Sequence, residues 1–517
     1  MKRLLSFGRL YVAVALLAAT VGAGCSKKDD VGKPGTNSGV KEKHEDAPID
    51  RWMFDYMKTH YLWNDAVKQV TPDYSLGYEK FLDDVLMKVA KQNDVNHDDG
   101  HWEGGKRSYF YSNVARYKTT KAETRGTREQ AEGLGIEMML YTALGQSGKA
   151  PYAFLIAAVT PGSPAGRAGL KRGDLISRVN GAVINDANLN SSWQKMMATE
   201  SGTVRMTRYD PNTQKDGAEI SVTASSYADN PVWFRKTFDL DDGRKVGYIC
   251  YGSFNYHFDD KLIDAFRVFK NERISELVVD LRYNGGGHVV SSTVLGTLVA
   301  GSKHSGEVYA RTTYNADRKS ETPDVYKLGV AQYNESNSNA KHSKIAEALD
   351  SSVGLDRIFV LCTGNTASAS ELLVNGLRGL GVEVNLIGLT TNGKNVGMEP
   401  QKKVFGDYEY DFSPITFYIA NSKGESNYGN GFQPDVEARD YTIYQDKDNN
   451  IHGIEWGDVL HDEMLANALL WIGTGSKPDL SGQTASTRGI EGLQPRVLRT
   501  VAPVRVQNMV LLPEPQE

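Results

Sequence analysis

RIFVLCTGNTASASELLVNGL, from Arg357 to Leu377, carries most of the information about the fold. Its first half, Ile358 to Leu361, is a continuous apolar run of the length and type of a buried strand. Thr363 to Ala367 are small and polar, and Leu372, Leu373 and Leu377 then recur at helical spacing. A strand passing through a tight turn into a helix is the grammar of an α/β domain. Ser368 falls on the turn, where a hydroxyl is exposed beside the unpaired N–H groups that open a helix. Ser368-Ala369-Ser370-Glu371 is also S-x-x-E, a capping box that requires no chemistry. Taken alone, the two readings balance.

A second element shifts the balance. Beyond a further strand, Val384 to Ile387, the loop Gly388-Leu389-Thr390-Thr391-Asn392-Gly393-Lys394 puts a lysine twenty-six positions after Ser368. A serine hydroxyl attacks only when a base takes its proton, and a lysine serves once burial draws its pKa from ~10.4 toward neutrality. Upstream, the apolar run Leu277 to Leu281 leads into Asp280-Leu281-Arg282-Tyr283-Asn284-Gly285-Gly286-Gly287, whose glycines allow backbone N–H groups to approach a substrate carbonyl.

Together these three segments resemble the C-terminal processing, or tail-specific, serine peptidases. The resemblance implies Ser368 as nucleophile, Lys394 as general base and Glu371 as a supporting residue. It also implies an oxyanion hole from Ala369 with Gly286 or Gly287, on an α/β domain of crotonase/ClpP-like type. Three positions depart from the family pattern. Asn392 replaces an aromatic, Asn395 replaces the glycine after the lysine, and Met398 stands where the family has a glutamine that orients the base. A thioether cannot donate that hydrogen bond. A Ser-Lys dyad is therefore expected without a conventional third member. His257 and His288 raise a Ser-His alternative, which nothing around either residue supports.

The preceding region changes to short strands and turns. Gly133-Leu134-Gly135-Ile136, then Ser163-Pro164-Ala165, Ala168-Gly169-Leu170, Gly173-Asp174-Leu175-Ile176 and Val179-Asn180-Gly181, resemble in that order a PDZ domain of the bacterial protease type. The resemblance implies that residues 133 to 136 capture a chain's free C-terminal carboxylate, while an edge strand adds the peptide by pairing. Before it, Trp52, Tyr56, Met57 and Tyr61, then Phe81, Leu82, Val85, Leu86 and Val89, form helical stripes separated by Thr71-Pro72-Asp73. These predict a small helical module whose aromatics serve a core or a homodimer contact.

At the N-terminus Lys2, Arg3 and Arg9 precede an apolar run from Leu10 to Val21, too short to span a bilayer. The run ends Gly22-Ala23-Gly24-Cys25, which resembles a lipobox and implies acylation of Cys25 and anchoring in a bacterial envelope membrane. Cys250 and Cys362 lie within apolar runs and are expected to be buried, reduced strand residues.

The expected organisation is multidomain α+β. It comprises a signal peptide over 1–24, a tether over 25–45, the helical module over 46–127, the PDZ-like domain over 128–228, the catalytic domain over 229–475 and a tail over 476–517. Within the catalytic part, residues 302 to 344 show no strong periodicity and read as a long insertion or mobile loop. The C-terminal helix is expected to stop at Gly473. Near-balanced charge, 59 basic against 64 acidic side chains and a net −5, leaves no basic stripe for nucleic acid. No cofactor is expected, and no metal, since no His-Glu-x-x-His or paired Cys or His spacing occurs. The function these features support is a lipid-anchored serine endopeptidase acting near the C-terminus of proteins or peptides. A degenerate PDZ-containing scaffold is the competing reading, motivated by Asn392 and Met398.

Overall fold

The computed structural model describes residues 47–89, 94, 110–119, 130–144, 151–321, 324–331 and 344–478. Cys25, with the expected signal segment and tether, and the tail beyond residue 478 lie outside the described residues.

The catalytic region is built on a six-stranded sheet in the order 232–239, 245–251, 276–280, 357–362, 383–388 and 436–437. The first pair is antiparallel and the rest parallel. Its central strands read as continuous apolar runs because both faces are covered. On one face lie the helices Asp259–Glu272, Val289–His304 and Ala369–Gly379, whose Phe266, Val294, Leu298, Leu372 and Leu373 join Val279, Val360 and Leu386 in one core. Helix Glu463–Thr474 covers the other face with Met464, Leu465, Ala468 and Ile472. That helix continues past Gly473, and Gly475, left-handed at φ 69°, ends it. The strands 276–280, 357–362 and 383–388 all deliver their carboxyl ends to one edge of the sheet. There the glycine run, the Ser368 turn and the lysine loop emerge side by side.

The described part of residues 302 to 344, expected as a loop, contains two strands. Val308–Thr313 pairs with Val325–Lys327 and with Ile415–Ala420, which in turn pairs with Val396–Met398 in a second, four-stranded sheet. Their apolar content is confined to the short runs Val308 to Ala310 and Val325-Tyr326, too short to produce a clear period in sequence.

The N-terminal helices Ala47–His60 and Tyr78–Val89 do not form a module with a core of its own. Met53, Met57, Tyr61, Phe81, Leu82 and Val85 share one core with Val396, Met398, Phe412 and Ile415 of the catalytic region. Strand Asn113–Lys118 pairs with Tyr408–Ser413, and Leu62 N–H donates to Ile415 C=O at 2.9 Å. The aromatic stripe considered for a dimer contact is committed within the chain: Trp52 and Tyr56 pack edge-on against Phe412 at 5.7 and 6.0 Å.

The PDZ-like part is a six-stranded sheet whose path runs 136–143, 152–159, 175–179, 203–210 and 215–223, with the short strand 182–183 pairing 175–179. Helix Leu189–Met197 packs Trp193 against Phe154, their rings 5.5 Å apart. Cys250 and Cys362 are free and buried, and burial pushes both thiols up in pKa.

Candidate active site

Ser368 is held at φ 61°, ψ −113°, a conformation that side-chain-bearing residues rarely adopt. Such strain costs ~1–3 kcal/mol and is retained where surrounding contacts over-determine it. Those contacts come from the glycine run. Asn284 C=O accepts from Ala367 N–H at 3.1 Å and from Ser370 Oγ at 2.9 Å, while Thr366 Oγ1 donates to Leu281 C=O at 2.8 Å. Gly286, at φ 106°, passes so close that a Cβ there would lie 2.7 Å from Ser368 Cβ and 2.9 Å from Ala369 N. Only glycine fits that approach.

Of the capping box, the glutamate half is formed: Ser368 N–H donates to Glu371 Oε2 at 2.9 Å. The Ser368 hydroxyl is buried and has no hydrogen-bond partner among the described residues. It is not consumed in capping the helix.

Glu371 joins the serine turn to the lysine loop. The same Oε2 accepts Lys394 N–H at 2.8 Å, and Oε1 accepts Gly393 N–H and Thr391 Oγ1, each at 2.6 Å. The residue is fully buried. Burial raises its pKa to about 7, against the lowering pull of its four donors. Thr391 Oγ1 also accepts from Phe432 N–H at 2.7 Å, and Asn392 N–H donates to Thr366 C=O at 3.0 Å. Gly393, at φ 96°, lies against the 429–431 turn, where a Cβ would stand 2.6 Å from Gly429 O.

The Lys394 side chain is wholly buried, and burial lowers its pKa from 10.5 to about 7 while Asp94 and Glu371 oppose the shift. An amine so placed is a competent base near neutral pH. Its Nζ stands 4.5 Å from the centroid of the Tyr111 ring. Neither Tyr111 nor Asp94 is legible as a site residue from sequence, because each reaches the lysine only through the shared N-terminal core.

Of the two glycines considered for oxyanion binding, Gly286 has its N–H engaged by Asn284 Oδ1 at 2.9 Å. That leaves Gly287 and Ala369 as the candidate donors. His288 is also accounted for: its Nδ1 contacts Phe254 C=O at 3.0 Å. His257 packs against Tyr256, their rings tilted by 31° with centroids 4.0 Å apart.

Residues 133–136 lie elsewhere. Gly133 ends the short strand 130–133 paired with 225–228, while Leu134 and Ile136 point into the PDZ-like core. Leu134 C=O accepts from Ala165 N–H and Gly135 C=O from Thr160 N–H, at 2.8 and 2.9 Å. From Ile136 onward the strand is the edge of its sheet. No hydrogen bond among the described residues joins this loop to Ser368 or Lys394. The two parts of the chain meet instead at Arg172, which is nearly fully buried. Its guanidinium donates to Asp440 Oδ1 at 2.6 Å and to Tyr283 Oη at 2.9 Å. Arg282, beside Tyr283, pairs with Asp280, Asp440 and Asp462 at 2.7–2.8 Å.

The arrangement of buried serine, buried lysine and glycine exit coincides with a match of residues 245–438 to the model of peptidase family S41. Residues 48–102 match the S41 N-terminal domain and residues 155–207 a PDZ domain. Residues 245–438 carry an S41 serine peptidase domain. Its relatives include the carboxyl-terminal-processing protease of Picosynechococcus, 26% identical over 46% of this chain and 49% of that protein. Another is the carboxy-terminal processing protease CtpB of Bacillus subtilis, 28% identical over 35% of each. The chain thus spans about half or less of the curated relatives it matches. The crystal structure of an S41 protease from Bacteroides fragilis superposes with a TM-score of 0.60 at 24% identity, over 86% of this chain and 99% of that one. This last likeness is one of fold.

Proposed function

We propose that the chain is a serine endopeptidase that cleaves proteins or peptides near a free C-terminus through an acyl-enzyme on Ser368. Lys394 Nζ takes the hydroxyl proton as Oγ attacks the scissile carbonyl carbon. Ala369 and Gly287 N–H groups receive the oxyanion, and the ammonium returns the proton to the leaving amine. Water then hydrolyses the ester by the same exchange. Glu371 holds nucleophile and base in register. The observation that carries this reading is one carboxylate oxygen accepting both Ser368 N–H and Lys394 N–H, beside a buried lysine whose pKa is drawn to about 7.

The loop 133–136 and the edge strand after it are the proposed receptor for the substrate's C-terminal carboxylate. Acylation of Cys25 is proposed to hold the enzyme at a bacterial envelope membrane.

A fluorophosphonate probe tests the site. It should label the native chain and neither Ser368→Ala nor Lys394→Ala, and a peptide with a free C-terminus should be cut faster than its amide. A folded native chain that takes no label would leave the scaffold reading, which Met398 motivates, as the better one. Labelled palmitate incorporated into the native chain but not into Cys25→Ser tests the anchor.

A further inference from the structure

Met398 leaves the base without the side chain expected to orient it, and the structure shows what surrounds the lysine instead. Met398 is fully buried in the core shared with the N-terminal helices. From that core the segment 110–112 crosses the lysine loop. The Tyr111 ring lies under Lys394 Nζ at 4.5 Å, and its hydroxyl donates to Asn392 Oδ1, two residues before the lysine. Asn392 thus has a definite partner at the position where the sequence departs from the family pattern.

Behind Tyr111 stands Asp94, completely buried. Its Oδ2 accepts from Tyr61 Oη at 2.6 Å and from Ser112 Oγ at 2.8 Å, and its Oδ1 accepts from Ser112 N–H at 2.8 Å. Asp94 C=O accepts Tyr111 N–H at 2.8 Å, so carboxylate and ring are fixed to each other. Ser112 Oγ also accepts Ile415 N–H at 2.9 Å, tying the group to the strand that pairs with Val396–Met398. Burial raises the Asp94 carboxyl to about 6 while its Tyr61 and Ser112 donors pull it down, so it is an anion at neutral pH.

Resting on the Ser368–Lys394 reading, we propose that Tyr111 and Asp94 of the N-terminal segment are the positioning group of Lys394, supplying by ring face and charge what the family's glutamine supplies by hydrogen bond. When the Ser368 proton reaches Nζ, an ammonium forms on a wholly buried side chain. An aromatic face and a fixed carboxylate stabilise that cation where it arises. The segment therefore completes the active site in addition to packing against it.

Among the described residues, the charged and titratable groups facing Lys394 are Asp94 and Glu371, with Tyr111 beside it and Tyr61 behind Asp94. The acid limb of the Ser368 labelling rate belongs to this coupled set. Removing either Asp94's charge or the ring face makes the ammonium less stable, so the limb moves to lower pH and the plateau rate falls. For Asp94→Asn the expected displacement is roughly one pH unit. For Tyr111→Leu it is about half a unit, while Tyr111→Phe keeps the ring and leaves the limb at its native pH.

The experiment is the pH profile of fluorophosphonate labelling in the full chain for these three variants, normalised to folded protein by near-ultraviolet circular dichroism. Loss of folding lowers the amplitude without moving the limb, so a merely structural role is distinguished. Limbs that coincide with native in both Asp94→Asn and Tyr111→Leu overturn the proposal. Should the native chain itself take no label, the Ser368 reading fails first, and that result is recognised separately.

Discussion

Replacing Lys394 by methionine exposes the energetic consequence of burying the base. In the folded chain burial draws the amine from 10.5 to about 7, whereas in the unfolded chain it is solvated and keeps its ordinary value. As pH falls below 10.5 the unfolded state takes up the proton first, so the folded state loses stability at about 1.4 kcal/mol per unit until the folded pKa is reached. Integrated, the cost is ~2 kcal/mol at pH 9 and ~4 kcal/mol at pH 7, and it changes little at lower pH. Methionine is an unbranched side chain one atom shorter and does not titrate. Lys394→Met should therefore be more stable than the native chain, with a gap that widens by ~2 kcal/mol between pH 9 and pH 7. Asp94 and Glu371 lose a cationic neighbour in the variant, which makes ~4 kcal/mol a ceiling at pH 7. The assay is urea unfolding at both pH values in a Ser368→Ala background, which removes autolysis, with midpoints compared at constant slope. A gap that stays the same at the two pH values, or a native chain more stable than the variant at pH 7, would refute the assignment of Lys394 as a buried, pKa-shifted amine.

Three further outcomes follow from the same contacts. Glu371→Gln leaves one carbonyl oxygen and an amide N–H₂ facing four donors, so labelling of Ser368 should fall by ~100-fold or more with a loss of ~2–4 kcal/mol in unfolding free energy. Gly286→Ala should abolish labelling while circular dichroism stays native-like, because the added methyl meets Ser368 Cβ at 2.7 Å and must displace the serine turn. Arg172→Ala takes from Asp440 one of its two guanidinium partners, Arg282 remaining at 2.7 Å, so it should cost ~1–3 kcal/mol in melts and open the junction with the PDZ-like domain to limited proteolysis.

How much of this was legible in sequence follows from how far apart the interacting residues lie. The serine turn, the lysine loop and the glycine exit are local features on successive parallel strands, and a strand-turn-helix rhythm with its small residues announces each of them. Glu371 was legible by spacing. Its task was not, since the same S-x-x-E serves a helix cap or an active site, and only the fold shows its second oxygen turned to Gly393 and Thr391. Tyr408, Tyr410 and Phe412 do alternate with Glu409, Asp411 and Ser413 and mark strand 408–413, whereas in 401–405 the adjacent Lys402 and Lys403 break the alternation that would mark a buried face. Residues 308–313 were lost for a similar reason.

Met398 shows the limit most clearly. Sequence reveals that a hydrogen-bonding residue is missing, because the departure is chemical and local. It cannot reveal what takes over, because Tyr111 and Asp94 lie about 280 and 300 residues from Lys394 along the chain. The contact exists because Met53, Met57, Phe81 and Met398 bury one another in a common core. An apolar residue at 398 is thus consistent with two facts at once. It extends the core that fastens the N-terminal helices to the catalytic sheet, and that fastening brings an aromatic face and a carboxylate to the base. A glutamine at 398 would have to place its amide in that apolar core, at a cost of ~1–3 kcal/mol if unpaired. The exchange of glutamine for methionine and the arrival of Tyr111 are coupled on this argument, and a chain carrying Met398→Gln should regain an orienting hydrogen bond only where Tyr111 is also made small.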